Sequence, residues 1–199
     1  WMLYSTPFEI AMEKNPKLRY MCLVDFSQEL LIRTVGNVET PQLQIFMAAF
    51  AQRHIDAKEM RVTTPAGTDV SFELDPNHLV CIHCGNATVP GMHMLTGQLN
   101  IVPRFGTING KIVFDGTITP PFGKVPSQPV VLTVENSKIV KFEGGPEAAE
   151  YEKYLKSFDD EGMFKMAHIA YGFNPGAKLT GNVVEDERVW GCTEWGIGY

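Results

Sequence analysis

The spacing of apolar residues changes along the chain. After Thr40-Pro41, the residues Leu43, Phe46, Met47, Phe50, His54 and Ala57 recur three or four apart, which predicts one buried face of a helix. Thr40 suits the N-cap of that helix, and Pro41 its first position, where an N–H has no partner to lose. Residues 18–24 are apolar enough for a strand, and residues 27–34 read as a short helix. Residues 61–64 and 70–74 form two strand-like runs around Pro65-Ala66-Gly67, a hairpin signal.

Beyond Cys81 the pattern turns β-rich. Residues 111–114, 130–134 and 139–142 are short β-branched runs, with Asn109-Gly110 and Glu135-Asn136-Ser137 where tight turns belong. Gly145-Pro146 opens a helix with Ala148, Tyr151, Leu155 and Phe158 on one face. Its last turn is expected to hold Asp159, Asp160 and Glu161, against the helix dipole. Residues 163–169 read as a strand entering a turn at Asn174-Pro175, and residues 182–190 and 194–199 as further strands. The fold class expected is α/β (α+β). Residues 1–80 form the C-terminal part of a mixed α/β N-terminal domain. Residues 81–199 form a β-rich metal-site domain, incomplete at its C-terminal end.

Composition narrows the function. The 199 residues carry a net charge of −6, and 20% of them are charged, without like-charge runs. That argues against disorder, a coiled coil or a nucleic-acid surface. No apolar stretch approaches the roughly 20 residues that span a bilayer, and no basic-then-apolar leader is present. A cytoplasmic protein with reduced Cys22, Cys81, Cys84 and Cys192 is expected. The chain opens on Trp1 and closes on an apolar, glycine-rich run to Tyr199, so an internal piece of a longer protein is expected.

Several chemistries can be weighed. Cys81-Ile-His-Cys84 offers half of a zinc site, without a second half. The five histidines, His54, His78, His83, His93 and His168, form no His-x-x-x-His pair, and neither a nucleophile elbow nor a phosphate loop occurs. Three glycine-marked segments remain: Gly91-Met-His93 through Gly97-Gln98 to Pro103, His168 through Tyr171 and Asn174 to Pro175, and Glu185-Asp186-Glu187-Arg188 through Gly191 and Glu194. Polar residues planted in apolar strand ends often belong to pockets. His168 on its own is open to two readings, a core histidine or a metal ligand.

In order and spacing these segments, over residues 65 to 199, resemble the metallo-aminopeptidase family named for aminopeptidase T. Three family ligand positions differ: Gln98 and His168 replace glutamates, and Glu194 replaces a histidine. Gln98 cannot neutralise a two-metal centre. Histidine at 168, joined to the family's downstream His-x-Asp, implies instead a two-histidine, one-carboxylate Fe(II) site with its remaining ligands beyond Tyr199. In this the chain is similar to the 2,5-dihydroxypyridine 5,6-dioxygenase branch of nicotinate and nicotine degradation, which opens the ring to N-formylmaleamate. The resemblance implies Fe(II) as cofactor, a small aromatic N-heterocycle and O2 as substrates, and a homo-oligomer. His168 is the expected metal ligand. His93 is expected as base and Glu194 as the residue that orients a ligand or the ring, while Gln98, Tyr171 and Asn174 are expected to bind substrate. His93 bracing a glycine-rich turn, Glu194 in a salt bridge to Arg188 or Arg104, and Asn174 shaping a turn are the competing readings. An aminopeptidase with an altered metal set is the alternative function.

Overall fold

A computed structural model describes residues 6–78 and 80–198. It is a mixed α/β structure, 27% helix and 32% strand, with three sheets that are mostly antiparallel. The expectation for Tyr199 lies outside the described residues.

The N-terminal elements are α1 (Thr6–Lys14), β1 (Arg19–Met21) and α2 (Gln28–Leu31), which runs into a π-helical turn over Ile32–Gly36. Ser27 caps α2 by accepting from Leu30 N at 3.1 Å. Helix α3 (Thr40–Asp56) carries Pro41 in its first turn, with Glu39 rather than Thr40 at the cap position. Its buried face is Leu43, Met47 and Ala51, whereas Phe46 is 43% exposed.

A five-stranded antiparallel sheet follows the order β2 (Glu59–Thr63), β3 (Asp69–Glu73), β7 (Asn109–Phe114), β8 (Val130–Glu135), β9 (Lys138–Glu143). It therefore draws strands from both sides of residue 80. The β2–β3 hairpin and the Asn136-Ser137 turn form where the sequence predicts them, the latter with both residues at positive φ. Asn109-Gly110 is not a turn. It starts β7, where Gly110 has φ +133° and any Cβ would strike the Asp69 carbonyl, so glycine serves a close strand approach.

The second sheet has four antiparallel strands in the order β11 (Thr193–Ile197), β10 (Met166–Gly172), β6 (Gln98–Ile101), β4 (Val80–His83). A parallel ribbon pairs β1 with β5 (Gly91–His93). One apolar core joins the two larger sheets: Phe72 of β3 meets Trp195 of β11 edge to face at 6.3 Å, and Leu99, Ile101 and Ile169 are fully buried in the same cluster as Met47. Helix α4 (Pro146–Lys156) seals the far sheet with Tyr151 packed against Phe114 and Phe142.

Two expectations are corrected. Helix α4 stops at Lys156, so Asp159, Asp160 and Glu161 lie past it; Asp160 instead caps a 3-10 turn (Glu161–Phe164) by accepting from Gly162 N at 2.7 Å. Residues 182–190 are not a strand. Asn182 accepts from Val184 N at 3.0 Å and starts the short helix α5 (Val183–Asp186). Local capping outweighs the apolar run.

Candidate functional site

Alternation along the four-stranded sheet sorts its residues by face. The pairs Val80–Ile101, Ile82–Leu99, Leu99–Tyr171 and Ile169–Trp195 share the apolar face. On the opposite face the register aligns His83, Gln98 and Gly172 in one row. Cys81, Asn100, Ala170 and Glu194 form the next row, and His168 sits beside Gly196. Polar residues two apart in sequence thus gather on one surface.

At the centre, His168 Nε2 lies 3.1 Å from Glu194 Oε2, diagonally across the β10–β11 ladder. Their side chains are 36% and 23% exposed. Burial works against charge on His168, but the hydrogen bond and negative charge of Glu194, with a contribution from Glu187, outweigh it and raise its pKa. The imidazole lies against Gly196, where a Cβ would collide with Cε1 and Nδ1. The bare Cα at position 196 is what allows that ring orientation.

Behind the pair runs a buried polar chain. Gln98, 2% exposed, holds His83 Nδ1 at 2.9 Å, and His83 Nδ1 is 3.1 Å from Arg188 Nη2. Arg188 is fully buried: its Nε donates to Leu95 O and its Nη1 to Val184 O, both at 2.7 Å, and Nη1 also pairs with Glu187. Burial and then the nearby guanidinium push His83 down to about 4. The folded chain therefore keeps His83 neutral well below 6.5, where the unfolded chain takes up a proton. The His83 contribution to stability is whole above pH 6.5 and falls by about 3 kcal/mol as the pH drops to 4. Thermal unfolding of wild type and His83→Asn between pH 7 and 4.5 checks this: the acid loss is expected to be smaller in the variant.

The other expected site residues are placed as follows. Asn174 is fully buried and brings three backbone segments together: Nδ2 donates to Thr34 O at 2.9 Å and Thr96 O at 3.1 Å, while Oδ1 accepts from Gly176 N at 2.9 Å. These bonds occupy the whole carboxamide in holding the fold. Tyr171 faces α3 on the apolar side, with its hydroxyl 3.3 Å from Met60 Sδ and its ring 5.6 Å from that of Phe50. Gln98 is on the His168 face but committed to His83. His93 stands on the β1–β5 ribbon, its Nε2 2.8 Å from Val89 O. Glu194 pairs with neither arginine expected for it: Arg188 takes Glu187, and Arg104 takes Glu73 and Asp75.

The Cys81 and Cys84 thiols are both free, and Cys84 packs against the apolar core on the other side of the strand from His83. Among the described residues no three His, Cys, Asp or Glu side chains converge as a metal cluster. A cavity of about 410 Å³ opens beside β11, walled by Glu187, Glu194, Cys192, Trp195, Phe114 and Tyr151 among others. His168 is not in its wall, so a ring confined there does not meet the imidazole.

His83 lies inside Cys81-Ile-His-Cys84 and Asn100 inside the first glycine-marked segment, but neither is among the expected site residues. The available signal was the strand alternation of Gln98 and Asn100 with His83 opposite, which needs the pairing of β4 and β6 to be known.

Among known proteins, the family model for NicX, 2,5-dihydroxypyridine 5,6-dioxygenase, matches residues 5–194. The 2,5-dihydroxypyridine 5,6-dioxygenase of Pseudomonas putida KT2440 is 29% identical over 141 residues, covering 69% of this chain and 40% of that protein. In structure, the 2,5-dihydroxypyridine dioxygenase of the same organism superposes with TM-score 0.79 at 23% identity, over 96% of this chain and 56% of that one. AmpT of Thermus thermophilus matches with TM-score 0.57 at 14% identity, over 84% of this chain and 44% of that one, a likeness of fold. The chain thus spans about half the length of the relatives it matches, and no described helix is long and apolar enough to cross a membrane. With a family match over nearly its whole length, this chain belongs to the 2,5-dihydroxypyridine 5,6-dioxygenase (NicX) family.

Proposed function

We propose that the chain carries part of the active site of an Fe(II)-dependent, ring-cleaving dioxygenase acting on 2,5-dihydroxypyridine. The observation that supports this reading most is the His168–Glu194 pair on the polar face of the β4–β6–β10–β11 sheet. It offers a partly exposed imidazole whose orientation is set by Gly196 and whose Nε2 faces a carboxylate. Such a pair fits one part of a divalent metal site. His168 would hold the ion, with the other ligands supplied from outside the described residues. When bound, Fe(II) supplies the electronic route by which O2 reacts with the electron-rich ring.

The protein residues orient and move protons. Glu194 orients the His168 ring through Nε2, and its carboxylate is the group on this face that can accept the ring hydroxyl proton. Glu187, pinned by the buried Arg188, adds negative charge nearby. His93, on the β1–β5 ribbon with its Nε2 2.8 Å from Val89 O, is the other candidate base of this reading. The aminopeptidase alternative requires a carboxylate at position 98, where Gln98 is buried and turned to His83. Four unpaired thiols support a reducing, cytoplasmic setting, and a homo-oligomer belongs to the same reading.

The test is oxygen uptake by the Fe(II)-supplemented protein with 2,5-dihydroxypyridine, run beside amino-acid release from chromogenic peptides. Uptake without peptide hydrolysis is expected; hydrolysis without uptake overturns the reading. Gly196→Ala is expected to lower uptake about 100-fold, because its methyl forces the His168 ring aside and a shift of about 1 Å at a reacting centre costs that much. Steady-state kinetics on the folded variant measure it.

A further inference from the structure

We propose that Asn100 is a specificity-determining residue of this site, its Nδ2 donating a hydrogen bond to the 2-oxo oxygen of the heterocycle. The inference rests on the dioxygenase reading and names the part of the substrate that the site reads.

The polar side chains of the His168 face are otherwise satisfied by one another. Gln98 holds His83, Arg188 holds Glu187, and Glu194 holds His168. Asn100 is the exception, since its Nδ2 is buried and has no hydrogen-bond partner among the described residues. A donor left in that state costs about 1–3 kcal/mol, so a native site that keeps one calls for an acceptor that arrives with the ligand.

The register gives Asn100 its reach. It stands opposite Ala170 on β10 and Cys81 on β4, and Ala170 in turn stands opposite Glu194. His168, two residues before Ala170, is therefore the diagonal neighbour of Asn100 on the same face. Diagonal side chains across an antiparallel pair start roughly 7–8 Å apart, a separation that a six-membered ring and one hydrogen bond can bridge. The His168 ring leans over Gly196, toward β11 and away from β6, and Ala170 between Asn100 and Glu194 contributes only a methyl group. A planar ring beside His168 thus finds a donor on the β6 side and an acceptor, Glu194, on the β11 side.

This polarity matches one tautomer. A 2-hydroxypyridine in water is mostly the 2-pyridone, with a carbonyl oxygen that accepts and a ring N–H that donates. Asn100 Nδ2 complements the oxygen, and Glu194 complements a ring N–H or hydroxyl. A ring with the hydroxyl but without the oxo group leaves Nδ2 unpaired.

The test is calorimetric binding of two probes, 2-hydroxypyridine and 3-hydroxypyridine, to the anaerobic Fe(II)-loaded protein as wild type, Asn100→Ala, Asn100→Ser and Asn100→Asp. Wild type is expected to prefer 2-hydroxypyridine about tenfold or more, in keeping with one buried hydrogen bond. Asn100→Ala and Asn100→Ser are expected to lose that preference by weakening 2-hydroxypyridine alone, and Asn100→Asp, with an acceptor in place of the donor, to bind it weakest. In turnover the KM for 2,5-dihydroxypyridine rises about tenfold in the alanine variant with a smaller change in kcat. Equal effects on both probes in a folded variant, or none on either, overturn the role of Asn100 while oxygen uptake by wild type leaves the dioxygenase reading standing. Wild type that binds neither probe and takes up no oxygen overturns both.

Discussion

In the Fe(II)-supplemented protein, His168→Ala is expected to lower oxygen uptake with 2,5-dihydroxypyridine by more than about 100-fold, beyond the 10- to 100-fold that loss of an outer partner of a metal ligand costs. Glu194→Gln is expected to fall inside that 10- to 100-fold range, because glutamine keeps the reach of the side chain but not its charge. The order of the two effects is informative, since a pair acting only as a structural ion pair would give similar, small losses. Both side chains are partly exposed, so neither change is expected to lower the unfolding temperature by more than about 2 °C. Oxygen-electrode rates and thermal melts on the same preparations check both parts.

Arg188→Ala is expected to cost about 3–5 kcal/mol of stability, because it leaves the Glu187 carboxylate and the Leu95 and Val184 carbonyls without their buried donor. For a chain of this size that is a fall of roughly 10 °C in melting temperature. Arg188→Lys is expected to recover only part of it. One ammonium cannot reproduce a planar fork that meets two carbonyls, a carboxylate and His83 from fixed directions. The damage should spread to the site, since Arg188 is the link between the Glu187 helix end and the His83–Gln98 pair. Differential scanning calorimetry of the three proteins measures the effect.

Much of the sheet structure was legible in residue patterning. The β-branched runs that became β7, β8 and β9, and the Pro65-Ala66-Gly67 hairpin, follow from short-range alternation and turn chemistry. The Asn109-Gly110 pair was not, because a glycine required by the approach of Asp69 from another strand looks the same in sequence as a glycine required by a turn. The segment around Glu185-Asp186-Glu187-Arg188 carried no apolar periodicity that separates strand from helix. Its conformation comes from the Asn182 cap and from buried carboxylates: Glu185 accepts from Lys178 N at 2.9 Å and Asp186 from Thr180 N at 2.7 Å.

The site itself divides in the same way. His168 and Glu194 stand out in the sequence, but their bond depends on the β10–β11 register, and strand alternation alone does not separate pairings that differ by two residues and keep the same faces. Asn174 carries two readings in the sequence, a substrate contact or the shaping of a turn, and its carboxamide is bonded to Thr34, Thr96 and Gly176, two of them far away in the chain. Asn100 lies two residues after Gln98 on the same face of β6. Only the neighbouring strands reveal which of the two amides is already occupied.

Turnover of 2,5-dihydroxypyridine under 18-O-labelled oxygen gas, read by mass spectrometry of the ring-opened acid, bears most directly on the chemistry assigned to the His168 face. Incorporation of both atoms of one O2 into each product molecule is expected. A product bearing label at a single position, or bearing none while the ring still opens in unlabelled water, contradicts a dioxygenase.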